Sequence, residues 1–172
     1  MLSVARLFMN FEETYTKYFK RVFAYVCARA GNETTAEDIC LNIWQKVFDK
    51  FSSFDNSKGN IEQWLFTIAR NEVNSYFRLY FIKNFFSLTG NEELHQAHET
   101  QPLENLAAEE DKKRLVQCLQ TLDKREKDLI GLKFFSGLNN REIAKVSGLS
   151  ESNVGTILKR SLDKIRLKME IL

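Results

Sequence analysis

The sequence predicts an all-α protein made of two small helical domains joined by an acidic linker. Hydrophobic side chains recur at three- and four-residue steps, and the alternation typical of strands is absent. Glycine and proline, which interrupt helices, number only 7 and 1 among 172 residues. Residues 1–85 carry a net charge of +2 (11 basic, 9 acidic), residues 86–111 carry −7 (0 and 7) and residues 112–172 carry +7 (14 and 7). We therefore expect domains at 1–84 and 112–172 and a linker at 85–111.

The first domain is expected to contain three helices. Apolar periodicity places them at about residues 11–30, 35–51 and 60–80, with a polar loop before the third. Asn60 followed by Gln63 is a capping-box pattern, which typically begins a helix. The expected inner face of the third helix is Trp64, Leu65, Ile68, Val73 and Phe77.

The C-terminal domain carries the strongest local motif. After helical segments that begin near Lys112 and Lys124, a second capping-box pattern precedes a short helix, and Gly148 is suited to the left-handed residue that ends it. Ser150 then caps another helix. A short helix, a glycine-containing turn and a second capped helix predict a helix-turn-helix, although a helical hairpin with a solvated charged face shares these parts.

In a helix-turn-helix, the first residues of the second helix meet base edges in the DNA major groove. The net charge of residues 112–172 agrees with a nucleic-acid partner. The residues expected to contact DNA are therefore Glu151, Ser152, Asn153, Gly155, Thr156, Lys159 and Arg160.

A second candidate site lies on the third helix. Its polar row comprises Arg70, Asn71, Asn74 and Arg78, and the aromatic residues Phe66, Tyr76 and Tyr80 flank it. Aromatic faces beside cations suit unpaired bases, which stack on them. The alternative is that these arginines pair with carboxylates of the same domain.

Other features argue against several classes of protein. Cys27, Cys40 and Cys118 lack the close spacing of a zinc site, so we expect reduced thiols, no metal and no cofactor. No apolar run approaches the roughly 20 residues that span a bilayer, so we expect a cytoplasmic protein without membrane insertion. His95 and His98 lie in the linker without a nucleophile or metal ligands around them, so we do not expect an enzyme.

Motifs across the chain resemble those of one bacterial family. They are Ala36-Glu37-Asp38, Trp64-Leu65, Ile68-Ala69-Arg70-Asn71, Arg78 and, after the linker, Glu142-Ile143-Ala144. In this order they resemble an extracytoplasmic-function sigma factor of the sigma-70 family, over about residues 11–168. The resemblance implies a protein that binds core RNA polymerase, directs it to promoters and helps to open the DNA. It also implies an anti-sigma factor as a partner.

The resemblance also implies roles for individual residues. The second helix would contact core polymerase through Asp38, Asn42, Gln45 and Lys46. The loop before the third helix would hold the −10 strand through Asp55, Asn56 and Lys58. The polar row Arg70, Asn71, Asn74 and Arg78 would contact backbone and bases upstream, and residues 112–172 would read the −35 element.

Several positions depart from the family pattern. Leu41-Asn42 replaces a common Gln-Glu pair, Ser75 a common aspartate, and Gly155 a frequent cation. The basic run usual after Arg78 is reduced to Lys83 within the largely apolar stretch 79–86. Two other classes therefore stay open: a helix-turn-helix regulator that acts without polymerase, and a sigma-like protein-interaction module.

Overall fold

The computed structural model describes residues 2–55, 57, 59–87, 114–115, 117–119 and 121–171. These residues form six α-helices and contain no strand, which confirms the all-α prediction. The helices are α1 (Leu2–Ala30), α2 (Glu33–Lys50), α3 (Ile61–Ser87), α4 (Lys124–Phe135), α5 (Asn140–Ser147) and α6 (Glu151–Ile171). A 3-10 turn, Phe51–Ser53, follows α2, and short helical stretches at 114–115 and 117–119 precede α4.

Helices α1, α2 and α3 form the first domain around an aliphatic core. The buried side chains recur one helical turn apart, as amphipathic helices require, and they include Val22, Val26, Ile39, Ile43, Val47, Leu65 and Val73. Burial of each such side chain contributes about 1.5–3 kcal/mol to folding. This packing fixes the outward faces of α2 and α3.

Three helix boundaries differ from those expected. Helix α1 begins at Leu2, well before Phe11. Helix α2 begins at Glu33 because the Asn32 side chain accepts a hydrogen bond from the Thr35 amide and caps it, so Asp38 lies in the second turn. Helix α3 continues to Ser87 and enters the segment assigned to the linker.

The inner face of α3 is also partly different. Leu65, Ile68 and Val73 are buried as predicted, but Trp64 and Phe77 are only partly buried. Phe66 was expected to flank the polar row on the surface, and this was wrong. Its ring is fully buried, 5.7 Å from the Tyr25 ring at an interplanar angle of 77°.

Helices α4, α5 and α6 form the second domain. Asp123 caps α4 in a capping box with Glu126. Helix α4 packs on α5 and α6, and the buried side chains between them include Leu129, Leu132, Ile143, Val154 and Leu158. Lys164 of α6 donates to Glu126 at 2.6 Å and ties the last helix to the start of α4.

The two domains pack against each other and share one contiguous core. Helices α1 and α4 run antiparallel and make this contact. The α1 residues involved, Arg21, Tyr25 and Arg29, are spaced four apart. Arg29 donates to the Lys124 carbonyl at the start of α4 at 2.6 Å. Arg21 donates to the Phe135 carbonyl at 2.9 Å and to the Ser136 carbonyl, both at the end of α4. This packing sets Arg70 of α3 against α4 and α5.

Candidate nucleic-acid interface

The helix-turn-helix is formed as the capping pattern predicted. The Asn139 side chain accepts from the Glu142 amide at 3.0 Å, and Glu142 Oε2 accepts from the Asn139 amide at 2.9 Å. Gly148 has φ +73°, and its amide donates to the Ala144 carbonyl at 2.9 Å. A residue with a Cβ is strained at this φ, so glycine permits the tight turn between α5 and α6.

Helix α6 turns its apolar side inward and its predicted DNA-contacting residues outward. Ser150 Oγ accepts from the Asn153 amide at 3.3 Å and begins the helix. Val154 and Leu158 are buried. The outward row consists of Glu151, Ser152, Asn153, Thr156, Lys159 and Arg160, all exposed, with Gly155 partly exposed. We call these seven residues the α6 row, and a DNA duplex could approach it directly.

The polar row of α3, which we call the α3 row, is divided among solvent, helix α1 and the second domain. Asn71 and Arg78 are exposed. Arg70 donates through Nε to Asp128 Oδ2 at 2.7 Å and through Nη1 to the Val146 carbonyl at 3.3 Å. Asn74 accepts from Arg29 Nη2 at 2.9 Å. Arg70 therefore contacts the second domain, and Asn74 contacts Arg29 within the first domain.

Asp128 on α4 is the centre of the contact between the domains. Its side chain is only 5% exposed, and its Oδ1 accepts from the Tyr25 hydroxyl at 2.7 Å. Arg29 Nη1 lies 3.6 Å from the same oxygen, and the Arg29 side chain is 2% exposed. Burial, followed by the charge of Asp128, raises the pKa of Tyr25 well above its usual value. The phenol is therefore a hydrogen-bond donor at neutral pH. We call Tyr25, Arg29, Arg70 and Asp128 the Asp128 cluster.

Gly131 allows α4 to approach α1 closely enough for this cluster to form. A Cβ at Gly131 would lie 2.9 Å from Cδ2 of Tyr25. A glycine inside a helix costs about 1 kcal/mol relative to alanine. Sequence reasoning missed Tyr25, Arg29 and Asp128, and Gly131 within α4 is the signal that could have indicated a close helix contact.

The loop before α3 is only partly described. Asp55 Oδ1 accepts from the amide and the hydroxyl of Ser57, at 2.9 and 2.7 Å. Asn56 and Lys58 lie outside the described residues. Asn60 caps α3 by accepting from the Gln63 amide at 2.7 Å, and its Nδ2 donates to Glu142 Oε1 at 2.8 Å. The starts of α3 and α5 are thus joined directly.

The four residues predicted to contact core polymerase lie on α2. Asp38, Asn42, Gln45 and Lys46 are all exposed, because Ile39, Ile43 and Val47 turn the opposite face of α2 into the core. Lys46 Nζ donates to Glu72 on α3 at 2.5 Å. Leu41, which precedes Asn42 on this helix, is 72% exposed.

Comparisons with known proteins agree with this arrangement. The Sigma-70 region 2 family model matches residues 14–79, which include the α2 face, the loop and the α3 row. The Sigma-70, region 4 family model matches residues 112–165, which include the helix-turn-helix. The chain belongs to the sigma-70 family, as an extracytoplasmic-function sigma factor.

Individual relatives match over most of the chain. RNA polymerase sigma factor YlaC of Bacillus subtilis is 28% identical over 93% of this chain and 92% of its own length. The extracytoplasmic-function sigma factor RpoE of Cereibacter sphaeroides is 27% identical over 92% of this chain and 86% of its own length. The solved structure of RpoE from Bartonella quintana, in complex with the anti-sigma factor NepR, shares the fold. It has a TM-score of 0.75 and 20% identity, and covers 94% of this chain and 98% of that chain.

Cys27, Cys40 and Cys118 of this sigma factor are free thiols in the structure. Burial raises the pKa of Cys27 to about 11 and that of Cys40 to about 12, so both thiols stay protonated at neutral pH. Within the described part of the chain, no group of His, Cys, Asp and Glu side chains could hold a metal ion. No helix there is long and apolar enough to cross a membrane. His95 and His98 lie outside the described residues.

Proposed function

We propose that this sigma factor binds core RNA polymerase, directs it to specific promoters and assists promoter opening. The observation that carries the proposal is the helix-turn-helix in the region 4 match, with the α6 row exposed, in the same chain as the region 2 match. As a factor that acts through polymerase, the chain needs no catalytic step or cofactor of its own. Its place of action is the cytoplasm, where polymerase and promoters meet.

The proposal assigns a separate role to each of three surfaces. Asp38, Asn42, Gln45 and Lys46 on α2 bind core polymerase. The loop residues Asp55, Asn56 and Lys58 and the α3 row act at the −10 element, and the α6 row reads the −35 element. The domain limits 1–84, 85–111 and 112–172 remain part of this proposal, with the α3 helix continuing slightly beyond the first limit.

Strand capture at −10 has a physical basis in the loop and α3. The amides at the start of α3, together with Lys58, favour a phosphate. Asp55 and Asn56 offer hydrogen bonds to the edge of an extruded base. Further along α3, the rings of Tyr76 and Tyr80 stack at 6.5 Å with an interplanar angle of 9°. Aromatic faces of this kind accept unpaired bases regardless of sequence.

An anti-sigma factor is proposed as a further partner. The solved structures of similar fold contain sigma factors bound to such proteins, NepR in one case and the cytosolic domain of CnrY in another. For this chain we propose that an anti-sigma factor acts by covering the polymerase-binding or DNA-binding surfaces described above.

The proposal is tested by reconstitution with core polymerase. The tagged chain should retain core polymerase in a pull-down and support run-off transcription from a pool of randomised promoters. A double variant, Asn42→Ala with Gln45→Ala, should weaken core binding. Lys20→Ala, an exposed change on α1, serves as the matched control. A chain that binds duplex DNA but no core polymerase would instead be a regulator, and a chain that binds neither would be an interaction module.

A further inference from the structure

The Asp128 cluster contains a buried hydrogen-bond donor that the carboxylate does not satisfy. Two guanidinium groups and one phenol, from Arg29, Arg70 and Tyr25, converge on a single buried carboxylate. Arg29 Nε is buried and has no hydrogen-bond partner among the described residues. A buried unpaired donor is unfavourable, so the carboxylate fills the site incompletely. An anion with more acceptor oxygens would match this donor set better.

A phosphodiester is such an anion. It carries the same single negative charge as a carboxylate, but its oxygens point in tetrahedral directions, and arginine pairs readily with phosphate. Arg70 and Asn74 belong to the α3 row that the proposed function assigns to DNA. When α4 is docked, Asp128 occupies the Nε side of Arg70, whose side chain is then 22% exposed.

We propose that Tyr25, Arg29 and Arg70 form a binding site for a promoter phosphate, and that Asp128 occupies the site when the two domains are closed. The identity of the ligand as promoter DNA rests on the proposed function. Closing is therefore asymmetric: the −10 side loses Arg70 to its contact with Asp128, whereas the α6 row stays exposed.

Two variants of the full-length chain open the closed form by different means. Asp128→Asn removes the charge that holds both arginines, with little change in shape. Gly131→Gln places a side chain where a Cβ already meets the Tyr25 ring at 2.9 Å, and it leaves Asp128 in place. Glutamine favours a helix more than glycine does, so α4 itself is not weakened. Asp163→Asn, at an exposed position on α6, is the control for the change in charge.

The measurement is binding of a fluorescent mixed-sequence duplex by the free chain over a range of salt, without polymerase. Small-angle scattering of the same samples reports opening. If the closed form holds about nine-tenths of the molecules, opening should raise the apparent affinity about tenfold. One added phosphate contact should steepen the dependence of log affinity on log salt by about 1. Adding Arg29→Gln and Arg70→Gln to either opening variant should remove both the increase in affinity and the steeper salt dependence.

Either opening variant can overturn the proposal. An expanded particle that binds DNA like the wild type, or a gain that survives loss of both arginines, would contradict the phosphate site. A compact Asp128→Asn protein would show that Asp128 does not hold the closed form. Gly131→Gln retains the buried charges of each domain. If Asp128→Asn fails to fold, the DNA binding of Gly131→Gln therefore tests the phosphate site by itself. Because the assay contains no polymerase, failure of run-off transcription would contradict the proposed function alone.

Discussion

Arg70 and Asp128 are 58 residues apart in the sequence, yet Arg70 Nε donates to Asp128 Oδ2 at 2.7 Å. The pair joins α3, which the proposed function assigns to the −10 element, to α4 of the C-terminal domain. A buried ion pair is costly to desolvate and is strongly destabilising to break from one side, by about 3–5 kcal/mol. It therefore favours one specific arrangement of the two domains.

Tyr25→Phe should weaken the contact between the domains. The change removes the hydroxyl that donates to Asp128 and leaves the buried ring in place. Loss of a hydrogen bond to a charged group costs about 1.5–3 kcal/mol, and we expect a fall in Tm of roughly 3–10 °C with expansion of the particle. Tyr18→Phe is the matched control, since it removes the bond from Tyr18 to Glu62 within the first domain. It should lower Tm without expansion, and the same expansion for both would refute this role of Tyr25.

The closed form should depend only weakly on salt. The opposite charges of residues 86–111 and 112–172 would predict opening at high salt, but the described contacts are buried, and buried pairs are screened little. Small-angle scattering at about 0.05 M and 1 M NaCl should give nearly the same radius of gyration. A large expansion at high salt would show instead that exposed charges hold the domains together.

Lys159→Ala and Arg160→Ala should each weaken binding to the −35 duplex. Both side chains are exposed on α6, and each lost phosphate contact should lower the salt slope by about 1 with little loss of sequence preference. Arg166→Ala is the control on the same helix, where Arg166 pairs with Glu170 and is 82% exposed. Equal effects at all three positions would argue against docking through the α6 row.

Trp64→Ala should destabilise the first domain. The Trp64 ring lies 5.0 Å from Phe54 and 6.2 Å from Phe51, measured between ring centroids, so it supports the loop before α3. Truncation of a fully buried aromatic costs about 3–5 kcal/mol, and this partly buried ring should cost about 2–3 kcal/mol in urea unfolding. Trp64→Phe should recover most of that loss. Normal stability with failed promoter opening would make Trp64 a DNA-contacting residue.

Asp55→Ala and Asn74→Ala should impair promoter opening more than promoter binding. Unstacking a base costs a few kcal/mol, so loss of one hydrogen bond to the captured strand shifts the opening equilibrium. With core polymerase, both variants should form closed complexes of nearly normal affinity yet transcribe poorly from duplex promoters. A template with a melted −10 segment should restore output. Ser53→Ala, whose hydroxyl bonds only locally to the Lys50 carbonyl, is the control.

The sequence predicted the features that depend on neighbouring residues. The capping box that begins α5, the turn at Gly148 and the cap at Ser150 are confirmed, because capping and turn chemistry are local. The Asp128 cluster could not be predicted in this way. Arg29 and Asp128 resemble ordinary solvated helix residues in the sequence, and carboxylate partners for Arg70 were expected only within its own domain. The pairing of these three residues follows from how the two domains pack. Helical periodicity placed the α3 row on one face of the helix. The contact of Arg70 with the second domain was not predicted, because it depends on domain packing.

Permanganate oxidation of unpaired thymines tests most directly whether this chain opens promoters. The template would be a duplex promoter selected from the randomised pool. With core polymerase and the wild-type chain together, thymines in the −10 segment should become reactive, and neither component alone should produce that pattern. Asp55→Ala and Asn74→Ala should reduce the reactivity while −35 protection persists. Reactivity equal to wild type in both variants would contradict strand capture by the loop and α3, and its absence with the wild-type chain bound to core polymerase would contradict promoter opening itself.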